Sequence, residues 1–226
     1  MYFIDTKKIE AELNKIDYKK LEQEMLQELE KMLAPELVYH SIGHTKDVLK
    51  RVAEIAYSEG ISPKQLLLLK TAALLHDSGF MFVYKDHEER GCEIAAEKLP
   101  AYGYSASDIE EICGMIRATR IPQSPITILE QILCDADLDY FGRSDYKEIS
   151  QNLFIELRNV NKAINEKQWL QVQIDFLENH HYFTLTSQNA RNENKAQVLK
   201  KIKAHKDYDA SEKYVWEAPL YIKNAQ

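Results

Sequence analysis

The sequence predicts an all-α fold: one helical bundle forming a single domain. Apolar residues recur three and four positions apart along most of the chain, the spacing of one face of an α-helix. Only 7 Gly and 6 Pro punctuate the 226 residues, and they fall between the periodic stretches. No pair of alternating segments reads as strands, and there is no internal repeat or low-complexity linker.

Residues 6–33 read as one or two amphipathic helices, with Ile9, Leu13, Ile16, Leu21, Met25, Leu29 and Met32 on the apolar side, until Pro35 interrupts. From about 43 to 58 a helix carries Val48, Val52, Ile55 and Ala56 on one face. Ser62-Pro63 starts the next helix, because Ser caps well and Pro suits the first turn. Leu66 to Leu75 is apolar almost all round, broken only by Lys70 and Thr71, which marks a central buried helix, with Gly79 as its stop. A loop over 80–86 leads to a helix over 87–99, ended near Pro100 and Gly103. Ser105 or Ser107 caps another helix that runs through Thr119. Pro122 and Pro125 bracket a turn, and Ile126 to Tyr140 is helical again. Helices near 144–165, 166–180 and 188–204 follow, and the tail from Asp207 has no period.

Composition excludes several classes. Net charge is −7 and the basic residues are scattered rather than striped, which weighs against nucleic acid as a partner. No run of about 18 apolar residues exists, so no membrane span is expected. The opening Met1-Tyr2-Phe3-Ile4-Asp5 lacks the basic region and long apolar stretch of a signal peptide. Cys92, Cys113 and Cys134 are odd in number and form no Cys-x-x-Cys pair, which suits a reducing cytosol better than a disulfide scaffold or zinc ribbon. A cytoplasmic protein is expected. Gly-x-Gly-x-x-Gly, P-loop and Gly-x-Ser-x-Gly motifs are all missing.

Chemistry concentrates in four residues: His44, the doublet His76-Asp77, and Asp137. His44 lies four and eight residues before Val48 and Val52, so it shares their inward face. Alone it would read as a core histidine with a backbone partner. His76 and Asp77 end the apolar helix; either they face water or they form a preorganised pair of donors. Asp135, Asp137 and Asp139 compete for a further role. Asp137 lies four after Leu133 and four before Phe141, on the apolar face, whereas Asp135 and Asp139 are rotated about 200° away at about 100° per residue. These two are therefore expected to be solvated or helix-polarising charges. Three separate helices each delivering an ionisable group inward is hard to explain by packing, because a buried unpaired charge is costly. A divalent metal ion satisfies all four groups, and mixed nitrogen and oxygen donors fit Mn, Mg, Fe, Zn, Co or Ni.

The order His44 … His76-Asp77 … Asp137, set in Tyr39-His40-Ser41-Ile42-Gly43-His44-Thr45, Leu74-Leu75-His76-Asp77-Ser78-Gly79 and Asp135-Ala136-Asp137-Leu138, resembles the HD-domain metal-dependent phosphohydrolases over roughly residues 37–142. The resemblance implies an all-α fold in which those positions bind metal. It also implies a plan of N-terminal helices over 1–34 packed on the core, a metal-binding core over 35–145, and C-terminal helices over 146–226 completing the same domain. Tyr-His-x-x-x-His and the Cys134-Asp135-Ala136 segment look like the corresponding parts of cyclic-nucleotide phosphodiesterases, with one residue more in the second. There the first histidine donates the proton to the leaving group, which here would be His40. The glutamine that commonly grips the base in those enzymes is not locatable in this sequence. Some HD proteins hold a second metal with later histidines; His87 is suitably placed, but Thr119-Arg120 stands where the other would be.

The implied activity is cleavage of a phosphate ester bond of a nucleotide or similar small molecule by a metal-activated water. His40 and Asp77 are its catalytic candidates, and Arg120, Lys85, Arg143 and Arg117 are candidates for holding phosphate charge. The alternatives are a regulatory module whose metal site is structural or degenerate, and an interaction domain that pairs into a homo-oligomer through its N-terminal amphipathic helix. The adjacent His180-His181 reads as structural, since neighbours on a helix point about 100° apart.

Overall fold

The computed structural model describes residues 15–160 and 164–205. Among these residues all regular secondary structure is helical, with no strand. The α-helices are α1 (Tyr18–Met32), α2 (Ile42–Ser58), α3 (Pro63–Leu75), α4 (His87–Lys98), α5 (Ala106–Ala118), α6 (Ile128–Asp137), α7 (Tyr146–Val160), α8 (Glu166–Asn179) and α9 (Leu185–Lys203). Short 3-10 turns follow α3, α4 and α6 at Ser78–Met81, Leu99–Tyr102 and Asp139–Gly142.

Local sequence explains most boundaries. Ser62, Ser105, Thr127 and Asn165 each close a capping box with the residue three positions on: Gln65, Asp108, Glu130 and Gln168. Each satisfies otherwise orphaned backbone N–H groups and contributes about 1 kcal/mol. Ser105 rather than Ser107 therefore starts α5, and Thr127 moves the start of α6 two residues past Ile126. That helix also stops at Asp137 rather than Tyr140, because the chain tightens into a 3-10 turn there. The expected helix over 6–33 is seen as Tyr18–Met32; its part before residue 15 and the tail from Asp207 lie outside the described residues.

Gly79 is not the stop of α3. The helix ends with His76 as its C-cap, and Gly79 sits inside the 3-10 turn. A Cβ there would lie 1.9 Å from the His87 carbonyl oxygen, so the glycine serves close approach of α4.

Helix α3 is the centre of the bundle, as its all-round apolar sequence predicts. It packs against α1, α2, α4, α5 and α6, burying Leu68, Leu69, Ala72, Ala73, Leu74 and Leu75. Its one buried hydroxyl, on Thr71, bonds the Leu67 carbonyl at 2.9 Å and Tyr104 Oη at 2.6 Å. Truncating a fully buried leucine such as Leu69 costs about 2–5 kcal/mol. A second, aromatic layer lies over the C-terminal end of α3. It joins Phe80 and Tyr84 to Phe154, Leu157, Trp169 and Val172 of α7 and α8, beside Tyr39, Tyr140, Phe141, Tyr146 and Tyr182. The candidate site residues lie at the seam between the aliphatic core and this layer.

Candidate metal centre and active-site pocket

Four side chains from α2, the end of α3 and the end of α6 converge at that seam. His44 Nε2 lies 3.0 Å from Asp137 Oδ1, 3.4 Å from Asp77 Oδ2 and 3.3 Å from His76 Nε2. His76 Nε2 lies 3.2 Å from Asp77 Oδ2 and 3.7 Å from Asp137 Oδ1. His44, His76 and Asp77 each offer one atom within 4.8 Å of the others. The local fold explains the convergence. His44 is on the first turn of α2, on the face of Val48 and Val52. His76 and Asp77 stand where α3 gives way to the 3-10 turn.

The donor set fits a divalent ion. Ligand atoms about 2.0–2.2 Å from a common centre stand roughly 3–3.6 Å apart at tetrahedral or octahedral angles, close to the separations above. His76 Nδ1 bonds the Ala73 carbonyl at 2.9 Å, so its proton sits there and the Nε2 lone pair faces the cluster. Asp77 Oδ2 is buried and has no hydrogen-bond partner. A buried carboxylate oxygen without a hydrogen-bond partner is unfavourable unless a cation stands beside it, either an imidazolium or a metal ion. Burial would raise the carboxyl pKa values, but when no ion is bound the positive charge of the facing histidines, His76 foremost for Asp77, outweighs it: Asp137 is held at about 2 and Asp77 well below the usual range. Both carboxylates are therefore ionised, as metal ligands must be.

His40 stands beside this cluster, before α2 begins at Ile42. It reaches the cavity without helical geometry because a residue 116 positions away holds it: Glu156 Oε1 lies 2.5 Å from His40 Nδ1, and Glu156 Oε2 accepts the backbone N–H of His40 at 3.0 Å and of Tyr39 at 2.9 Å. Tyr84 Oη also donates to Glu156 Oε1, at 3.1 Å. Glu156 is 0% exposed. Burial disfavours a charged imidazole, yet the Glu156 carboxylate more than offsets it and raises the His40 pKa. The His40 ring stacks on Phe80 with centroids 4.1 Å apart. Glu156 was missed in the sequence, although a lone carboxylate between Leu153 and Leu157 on the inward stripe of α7 is a visible signal.

His87, at the start of α4, stacks on the other side of Phe80 at 3.9 Å and places Nε2 3.6 Å from Asp77 Oδ1 and 3.7 Å from Glu88 Oε1. Its Nδ1 bonds the Tyr84 carbonyl at 3.2 Å, and burial pushes its pKa down, both of which leave a lone pair toward Asp77. A cavity of about 500 Å³ opens onto these groups. Its polar end holds His40, Asp77, Asp137, His87, Glu88, Lys85 and Arg120. Its other end is aromatic and apolar, with Tyr140, Phe141, Tyr146, Trp169, Gln173 and Phe176. Gln173 accepts from Tyr146 Oη at 3.1 Å.

Lys85 and Arg120 line the cavity, with Arg120 3.5 Å from Asp86 Oδ1 and 3.6 Å from Glu88 Oε2. Arg143 does not. It lines a separate surface hollow with Arg51 and Arg191 and is bound to Asp47 and Asp145 at 2.5 Å, so its charge is used elsewhere. Arg117 is likewise taken by Glu89, at 3.0 Å. The expectation that Asp135 and Asp139 are solvated is wrong: they are 0% and 3% exposed. The segment preceding α9, and α9 itself, cover the side of α6 that the periodicity leaves to water. His180 lies apart from the metal cluster, edge-on to Phe141 and Tyr182.

Residues 41–139 match the HD domain family model, and they carry all four converging side chains. This chain carries an HD domain over those residues. A predicted HD superfamily hydrolase from an uncultured Thermotogales bacterium is 25% identical, with a TM-score of 0.53 over 80% of this chain and 88% of its own. Bacillus subtilis YpgQ in complex with ADP is 16% identical, with a TM-score of 0.52 over 80% of this chain and 95% of its own, a likeness of fold. No curated protein matches the chain. The HD domain, the donor set and the HD superfamily hydrolase neighbour support a metal-dependent hydrolase superfamily. Glu156 and the aromatic wall from α7 and α8 lie outside the matched residues.

Proposed function

We propose that this HD-domain protein is a phosphohydrolase that cleaves a phosphate ester bond of a nucleotide-like small molecule. One observation carries the reading: the ligand cluster, the His40–Glu156 pair and an aromatic chamber share one cavity of about 500 Å³. That volume suits a molecule with a phosphate at one end and a ring at the other. His44, His76, Asp77 and Asp137 would hold a divalent ion, which would supply charge neutralisation for the phosphate and activation of water near neutral pH.

The chain's own residues supply the rest. His40, kept protonated by Glu156, donates a proton to the leaving oxygen. Phe80 stacks on both the His40 and the His87 ring and fixes their direction. Arg120 and Lys85 stand at the cavity mouth as counter-charges for phosphate oxygens, Arg120 exchanging its long contacts with Asp86 and Glu88 for the substrate. Tyr140, Phe141, Trp169 and Phe176 offer flat surfaces to a heterocycle and Gln173 offers an amide to its edge. YpgQ, of the same fold, was solved in complex with ADP, which supports a nucleotide as the occupant. The three buried free cysteines suit a cytoplasmic setting, which belongs to the same proposal. Among the described residues no helix is long and apolar enough to cross a membrane.

Elemental analysis of the purified protein, then a Mn- or Mg-supplemented screen across cyclic nucleotides, nucleoside mono- and triphosphates and an aryl phosphate, tests the proposal. Metal-dependent turnover favouring a nucleotide, abolished in Asp77→Ala with helicity retained, is the expected result. Turnover by Asp77→Ala at the wild-type rate, or none by the wild type with any ion, would refute it.

A further inference from the structure

The last turn of α6 and the 3-10 turn that follows carry three carboxylates, Asp135, Asp137 and Asp139, and that last turn has no basic residue. That is the negative pole of a helix, where acidic groups are unfavourable and the terminal turn frays. Yet the middle carboxylate must hold its place within the metal cluster. The partners that secure this end come largely from one segment, residues 182–191, outside the matched HD residues. Asp135 Oδ1 accepts the backbone N–H of Phe183 at 2.8 Å, and Oδ2 accepts Thr184 N–H at 2.8 Å and Thr184 Oγ1 at 2.7 Å. Asp139 receives a two-pronged Arg191 guanidinium, at 2.7 and 3.2 Å, with Arg143 at 3.6 Å and Arg51 at 3.9 Å behind it. Tyr182 Oη donates to the carbonyls of Leu138 and Asp139 at 3.3 and 3.2 Å. The backbones touch as well: a Cβ on Gly142 would lie 2.5 Å from the Arg191 carbonyl oxygen.

Segment 182–191 thus grips the chain immediately before and after Asp137, while Asp137 itself is left to face His44 and His76. We propose that Arg191 and Thr184 are positioning residues of the metal centre, fixing the Asp137 carboxylate from both sides and so setting the affinity for the ion. The inference rests on the metal-binding reading above and extends the functional centre beyond the matched residues into α9.

The test uses the full chain and Mn²⁺ alone, titrated calorimetrically. Loss of groups that orient metal ligands weakens binding by about 10- to 100-fold. Arg191→Met is expected to raise the Mn²⁺ Kd by that factor, Thr184→Val to raise it by less, and Arg191→Lys to recover part of the loss. Turnover of Arg191→Met should return toward wild type at saturating Mn²⁺, with KM for substrate unchanged. Leu29→Ala, a core truncation in α1, controls for stability: it should lower Tm without moving the Kd. Wild-type Mn²⁺ affinity in both Arg191→Met and Thr184→Val overturns the inference alone. An equal loss of affinity in Leu29→Ala overturns it too, since stability would then account for the effect. Absence of binding by the wild type overturns this inference and the metal reading together. Should Arg191→Met not fold, Arg191→Lys and Thr184→Val carry the same comparison.

Discussion

Replacing Glu156 by Gln removes one negative charge from a fully buried position while keeping the shape of the side chain. The carboxylate accepts from His40 Nδ1 through one oxygen and from the backbone of Tyr39 and His40 through the other, so an amide cannot satisfy every donor at once. A hydrogen bond to a charged group contributes about 1.5–3 kcal/mol. Expressed in the transition state at 1.36 kcal/mol per decade, that is a loss of roughly 10- to 150-fold in kcat. His40→Ala should lose more, about 10²- to 10⁴-fold, because the proton donor itself is gone. The pH dependence separates orientation from basicity. His40 must be protonated to donate, so activity falls as pH rises through its pKa. Burial lowers that pKa and Glu156 raises it above the ordinary imidazole value. Without the carboxylate, burial is less opposed and the alkaline limb of the kcat profile moves to lower pH. Steady-state rates across pH at saturating Mn²⁺, with the Mn²⁺ Kd as a control, are the assay. An alkaline limb that stays in place in Glu156→Gln would refute this role for His40.

Three further outcomes follow from the same geometry. An ion that binds only the folded chain stabilises it by about 2.7 kcal/mol at 100 times its Kd, so Mn²⁺ should raise Tm by roughly 5–10 °C and a chelator should reverse the rise; an unchanged Tm counts against the site. Gly79→Ala places a Cβ 1.9 Å from the His87 carbonyl oxygen, so denaturant unfolding should show a loss of about 1–3 kcal/mol; wild-type stability would show that the turn and α4 can move apart freely. Gln173→Leu removes a neutral hydrogen bond of about 0.5–1.5 kcal/mol from the aromatic chamber, raising KM for base-bearing substrates about 2- to 13-fold with little change in kcat; an unchanged KM would place the ring elsewhere.

How far the sequence led is best seen at α6 and α7. The 3.6-residue period set Asp137 on the apolar face of α6, and the structure turns that face toward His44 and His76. The same period left Asp135 and Asp139 for solvent, and there it failed. A periodicity argument assumes one wet face, whereas the end of α6 is enclosed by the HD core on one side and segment 182–191 on the other. Long-range partners of this kind, such as Arg191 for Asp139 and Glu156 for His40, leave no trace in local spacing. The buried helix α3 and the capping boxes were legible because their causes are local. Arg143 was assigned by closeness in sequence to Asp137, but the 3-10 turn at Asp139–Gly142 carries it to the far side, toward Asp47.

The central claim is that three separate helices deliver His44, His76, Asp77 and Asp137 to one divalent ion. Anomalous diffraction from crystals grown with Mn²⁺, collected on both sides of the Mn absorption edge, tests it most directly. A Mn-specific peak enclosed by His44 Nε2, His76 Nε2, Asp77 Oδ2 and Asp137 Oδ1 is the expected result. A Mn²⁺ peak bound only elsewhere, with those four atoms around no anomalous density, would contradict it.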